Sequence, residues 1–283
     1  MEWCWTEGCS PADLAPLVLN TAFVVKHGEM DLHYESCGKG RPLIILHGLF
    51  GTLENWRTLS KTFGQSFQVF AVHQRNHGHS PHSTIFNYQV MAEDVWEFMQ
   101  QRNLPSAYLL GHSMGGKVAM QVATTYPEAV DKLIVVDIAP KGYPPEHNDI
   151  LDALHALDLR ALRTRQEADA ALARRIQEAS LRQFLLKNLE RDASGAFRWR
   201  INLEALSANY HEVLKGLETD YVYGKPTLFI RGDRSGYIKE DDITIIRAIF
   251  PHALLVTIPG VGHWMHVEAP QVFVSIVLDF LRD

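Results

Sequence analysis

Four short segments, Leu43 to Leu46, Phe67 to Val72, Ala107 to Leu110 and Leu133 to Val136, are apolar at nearly every position instead of at every second one. A strand with one wet face alternates, so runs of this kind belong to parallel strands covered on both sides. The stretches between them carry helical spacing, over about Leu53 to Phe63, Tyr88 to Asn103 and Met114 to Tyr126, the last stopped by Pro127. This alternation specifies an α/β fold with a mostly parallel, doubly wound sheet built from right-handed crossovers. In such a sheet the active site lies at the carboxyl ends of the strands. Ahead of it, Thr21 to Val25 and Met30 to Tyr34 flank His27-Gly28-Glu29 and read as a hairpin, the glycine supplying the turn.

The alternation breaks at Pro140 and resumes at Pro226, where Thr227 to Ile230 reads as a strand. A helix over Ile238 to Phe250, a strand over Ala253 to Thr257 and a helix over Pro270 to Leu281 follow. Residues 141–225 are rich in Ala, Leu, Arg and Glu, with apolar positions three and four apart (Leu151, Leu154, Leu157; Leu181, Phe184, Leu185). That spacing predicts a helical cap insertion, placed to cover the catalytic face. The core is then 21–140 and 226–283, with 1–20 a loosely ordered leader; 283 residues accommodate one such domain.

Composition narrows the partners. A net charge of −6 argues against nucleic acid or an anionic membrane surface, either of which needs a basic face. The arginine-rich stretch from Arg160 to Arg175 is interleaved with Glu167 and Asp169 and reads as a solvated helix face. No apolar run is long enough to span a membrane, and the first twenty residues lack the basic and apolar regions of a signal peptide. Three cysteines, Cys4, Cys9 and Cys37, with no Cys-x-x-Cys pair, fit a reducing compartment, so a cytoplasmic location is expected.

Gly111-His112-Ser113-Met114-Gly115 carries the chemistry. Gly-x-Ser-x-Gly is weak alone, but here it follows a predicted strand and opens a predicted helix, the strand-turn-helix setting of a nucleophile elbow. The turn exposes the serine hydroxyl, and the helix start favours a developing oxyanion. A serine hydroxyl needs a base. His263, in Gly260-Val261-Gly262-His263-Trp264 after the last core strand, is the candidate, with His266 its competitor on the helix side of the loop. For the acid that orients the base, two carboxylates are candidates. Asp137 ends the strand Leu133 to Val136 in a sheltered place, and Asp233 stands in Gly232-Asp233-Arg234-Ser235 after the strand Thr227 to Ile230, where a turn-capping role competes. The oxyanion hole combines the Met114 N–H with one from His47-Gly48-Leu49-Phe50-Gly51, Leu49 first and Phe50 second. His77, His79 and His82 crowd one loop without the cysteine or acidic neighbours of a metal site. Phe184, Trp199 and Tyr210 in the insert either line an acyl pocket or pack among helices.

Together these residues resemble the α/β-hydrolase superfamily over about Phe23 to Leu281, and within it the YbfF-type esterases and their eukaryotic abhydrolase relatives. The carriers are His47 to Gly51, Arg75-Asn76-His77-Gly78-His79-Ser80-Pro81, Gly111 to Lys117, Asp137-Ile138-Ala139-Pro140 and Gly262-His263-Trp264. The resemblance implies Asp137 as the acid, and it implies that Ser235 assists the histidine by hydrogen bonding. His73 departs from the pattern, many relatives having aspartate there; that turn reads as structural. The expected function is a serine carboxylesterase acting on short- to medium-chain esters through an acyl-enzyme, without cofactor or metal. Thioester hydrolysis, C–C bond hydrolysis and perhydrolysis use the same machinery. From another class, a ligand receptor could keep the pocket without turnover.

Overall fold

Neighbouring residues of the central strands divide between two apolar layers. Ile44, Leu46, Phe70, Val72, Leu109, Leu133 and Val135 join one cluster; Leu43, Ile45, Val69, Ala71, Leu110, Ile134 and Val136 join the other. Both faces of the sheet are therefore buried, which is why these segments read as unbroken apolar runs. The computed structural model describes residues 30–282. The leader and the hairpin arm expected at Thr21 to Val25 lie outside them.

In chain order the first half of the core is β1 (Tyr34–Cys37), β2 (Pro42–Leu46), a 3-10 turn (Leu53–Trp56), α1 (Arg57–Phe63), β3 (Gln68–Val72), α2 (Tyr88–Gln101), β4 (Ala107–His112), α3 (Met114–Thr125) and β5 (Val130–Val136). An insert follows: α4 (Asn148–His155), α5 (Arg165–Leu172), α6 (Ala179–Leu186), β6 (Leu189–Arg191), β7 (Phe197–Trp199), α7 (Leu203–Ala208) and α8 (Tyr210–Leu214). The core closes with β8 (Thr227–Gly232), α9 (Asp242–Ile249), β9 (Ala253–Ile258), α10 (Met265–Glu268) and α11 (Pro270–Arg282).

The seven-stranded sheet runs β1-β3-β2-β4-β5-β8-β9, parallel except for β1. From β2 the chain steps one way to β3 and then returns past β2 to β4. The loops leaving β2 and β4 thus diverge, opening a crevice at their carboxyl ends. Helices α2 and α3 pack on one face; α1 and α11 cover the other, with Trp56, Phe63, Phe273 and Val277 fully buried beneath them.

Three elements differ from the sequence reading. The first strand is Tyr34–Cys37 in place of Met30 to Tyr34, because His33 bonds the loop after β3: its N–H donates to Ser80 Oγ at 2.9 Å and its carbonyl accepts from His73 N–H at 2.8 Å. Helix α9 starts at Asp242, not Ile238; the Asp242 carboxylate turns back to accept the Lys239 N–H at 2.7 Å and so closes the preceding turn. The insert is not wholly helical. Asp192 Oδ1 accepts the Ser194 and Ala196 N–H groups at 2.8 and 3.1 Å, and Gly195 at φ +85° completes a turn joining β6 to β7. Arg165 to Leu172 do form a helix, with Arg165, Gln166 and Glu167 exposed and Ala168 and Leu172 buried. Among the described residues no helix is long and apolar enough to cross a membrane.

Candidate active site

Ser113 forms the corner between β4 and α3. Its backbone sits at φ +53°, ψ −121°, a sparsely populated conformation that costs about 1–3 kcal/mol. Close packing holds it there. A Cβ on Gly111 would stand 2.1 Å from the Gly115 carbonyl oxygen, and one on Gly115 would stand 2.4 Å from that of Leu46. Only glycine lets β4, α3 and β2 approach this closely, and the Ser113 N–H ties the corner to β5 through the Val136 carbonyl at 2.9 Å.

His263 lies in the loop between β9 and α10, with Nδ1 2.7 Å from Asp137 Oδ2. A carboxylate only accepts, so Nδ1 bears the proton and Nε2 keeps a lone pair. Asp137 is fully buried at the end of β5, itself at φ +53°, and its N–H donates to the Ile230 carbonyl at 2.8 Å. Its carboxylate also accepts the Ser235 hydroxyl and, at 3.4 Å, the Gly232 N–H. Ser235 therefore bonds the aspartate, whereas the resemblance had implied a bond to the histidine. A buried carboxylate has lone pairs to satisfy, whereas His263 Nδ1 already has its acceptor.

The competitors are engaged elsewhere. Asp233 is exposed and accepts the Gly260 N–H at 2.7 Å, capping the turn after β9. His266 is buried flat against Trp56, ring centroids 4.5 Å apart, and burial pushes its pKa down to about 3. The His47–Gly51 loop rests on the corner: a Cβ on Gly48 would stand 3.2 Å from Ser113 Cβ. Among the described residues neither the Leu49 nor the Met114 N–H has an intramolecular acceptor, while the Phe50 N–H donates to His77 Nε2 at 3.3 Å. The other His77 nitrogen meets the Arg75 carbonyl at 3.0 Å, and no group of three or more described His, Cys, Asp or Glu side chains is arranged to hold a metal ion.

Ser113, His263, Leu49 and Met114 line one cavity of about 320 Å³ between core and insert. Leu181, Phe184, Tyr210 and Leu214 of the insert complete much of its wall; Trp199 is not part of it. The model of the α/β-hydrolase fold family matches residues 41–270, spanning every one of these groups. The chain belongs to the α/β-hydrolase family. It is 38% identical over 258 residues to the sn-1-specific diacylglycerol lipase ABHD11 of Danio rerio, covering 88% of this chain and 81% of that protein. It is 34% identical over 243 residues to esterase YbfF of Escherichia coli, covering 86% and 93%. A solved marine microorganism esterase superposes with a TM-score of 0.87 at 43% identity, covering 89% of this chain and 99% of that one. The chain is an enzyme of the esterase/lipase type within the family.

Several residues around the site were given no role by the sequence reading, although one of them, His112, lies inside the elbow motif. Tyr237 stacks on the His263 ring, centroids 4.3 Å apart. His112, buried and held neutral by that burial, has Nε2 2.9 Å from the His263 carbonyl and so donates to it. Tyr143 accepts the Ala139 N–H at 2.8 Å and donates to the Tyr237 carbonyl at 2.6 Å. Only tertiary contact assigns these roles; an aromatic or histidine in sequence says nothing of its partner.

Proposed function

We propose that the protein is a serine carboxylesterase acting on short- to medium-chain esters through Ser113, His263 and Asp137. The observation that carries this reading is the 2.7 Å contact of His263 Nδ1 with a buried Asp137, while His263 itself lines the same cavity as a serine held at a strained elbow. Ser113 Oγ attacks the ester carbonyl while His263 Nε2 takes its proton and passes it to the departing alcohol. Water then attacks the acyl-enzyme with His263 again as base, and Ser113 is regenerated. Asp137 fixes the imidazole tautomer and stabilises the imidazolium; the Leu49 and Met114 N–H groups receive the oxyanion, each contributing about 3 kcal/mol. The cavity volume, at the lower end of the roughly 300–1,000 Å³ typical of ligand sites, supports short to medium acyl chains.

Labelling by a fluorophosphonate probe and turnover of p-nitrophenyl esters of increasing chain length test this. Ser113→Ala is expected to abolish labelling and lower kcat by about 10⁶-fold. A folded protein that neither labels nor cleaves any of the esters would be a ligand receptor on the hydrolase fold, and the proposal would fall.

A further inference from the structure

Lys117 is almost completely buried, one helical turn beyond Ser113 on α3, and it lines the same cavity. Its ammonium donates to the Lys215 carbonyl and more distantly, at 3.5 Å, to that of Val213, both at the end of α8. The rings of Tyr143 and Tyr88 stand 4.8 and 5.3 Å from it. Among the described residues no carboxylate lies within ion-pairing distance of this ammonium. Glu146 and Glu178 also line the cavity, but both are exposed. A buried cation without an anion is costly, and burial alone pushes the lysine pKa down to about 7.

From the uncompensated ammonium in the wall of the cavity that holds Ser113, we infer that Lys117 is a specificity-determining subsite for a carboxylate at the far end of the acyl group. Its preferred substrate class is then a half-ester of a short dicarboxylic acid. This rests on the esterase reading above. Ser113 and Lys117 both line a cavity of only about 320 Å³, so an acyl group that reaches from one to the other is a short one. A carboxylate there accepts a charge-assisted hydrogen bond where the free protein leaves the charge facing only carbonyls and ring faces. The lysine is matched to the substrate and not to catalysis: water hydrolyses the ester, releasing the alcohol and the dicarboxylate, and Lys117 takes no proton from the reacting atoms.

The test compares 4-nitrophenyl hydrogen glutarate with its size-matched neutral counterpart, 4-nitrophenyl methyl glutarate, both corrected for spontaneous hydrolysis. Wild-type kcat/KM is expected to favour the acid by roughly tenfold or more, chiefly through KM. That ratio is expected to collapse in Lys117→Gln and to survive in part in Lys117→Arg. If Lys117→Gln does not fold, the wild-type ratio decides. A wild-type enzyme that cleaves the neutral ester as well as the acid, or a ratio unchanged in Lys117→Gln, overturns the inference while leaving the esterase reading standing. A protein that cleaves neither ester and takes no fluorophosphonate loses both.

Discussion

Asp137 and Asp233 lie at the ends of adjacent strands, yet they face different partners. Asp137→Asn is expected to lower kcat by about 10⁴-fold, because an amide can hold His263 in the wrong tautomer. Asp233→Asn is expected to keep rates within about threefold, since its exposed carboxylate caps a turn. Steady-state rates on p-nitrophenyl acetate check both, and the reverse outcome would reassign the acid. Ser235→Ala removes a charge-assisted bond to Asp137 and is expected to cost roughly tenfold in kcat with little change in KM. At this scale the elbow was legible in the sequence because Gly111 and Gly115 have a steric cause, backbone lying within about 2.1–2.5 Å of where a Cβ would stand. The glycines beside His263 meet no backbone so closely. The choice between the two aspartates was not legible, because it depends on which carboxylate reaches across from its strand end to the His263 loop. Ser235 was misplaced by one contact for the same reason.

The elements were legible wherever periodicity was strong. The parallel strands declare themselves because both faces are buried, and α3 because it follows the elbow. The β6–β7 hairpin was missed: its strands are three residues each, too short to show alternation, although Asp192-Ala193-Ser194-Gly195 is a turn signal between them. The beginning of α9 was misjudged because Ile238 is buried without being helical. Packing between elements yields its own prediction. In Gly115→Ala the new methyl meets the backbone oxygens of Leu46, the end of β2, and His47 just after it, at 2.4 and 2.5 Å, which no side-chain rotation relieves. This variant is expected to lose about 1–3 kcal/mol or more in urea unfolding and, with the elbow displaced, nearly all esterase activity.

Across the molecule, His47, His77, His112 and His266 are buried, and burial pushes all four pKa values down, His77 to about 4 and His266 to about 3. A histidine with a lower pKa folded than unfolded costs no stability above its unfolded value near 6.5. As pH falls below that value the unfolded chain takes up the proton first, so stability is lost until the folded pKa is reached. Each contributes a slope of about 1.4 kcal/mol per pH unit over its window. Urea unfolding free energies are therefore expected to drop steeply between about pH 6.5 and pH 4.5, and His266→Phe, which keeps the stack on Trp56, is expected to flatten the drop by about one proton. At this scale the doubly wound sheet was readable from the order of apolar runs. The strand order and the hydrogen bonds that fasten the insert to the core, such as Asn188 Nδ2 to the Phe50 carbonyl at 2.7 Å, were not, since they join residues far apart in the chain. One such long-range bond has a mechanical result. Because His112 directly precedes Ser113 and its Nε2 donates to the His263 carbonyl, one side chain ties the elbow to the loop that carries His263. A substitution that displaces the corner is therefore expected to disturb that loop as well, so damage on either side of the bond is shared by both.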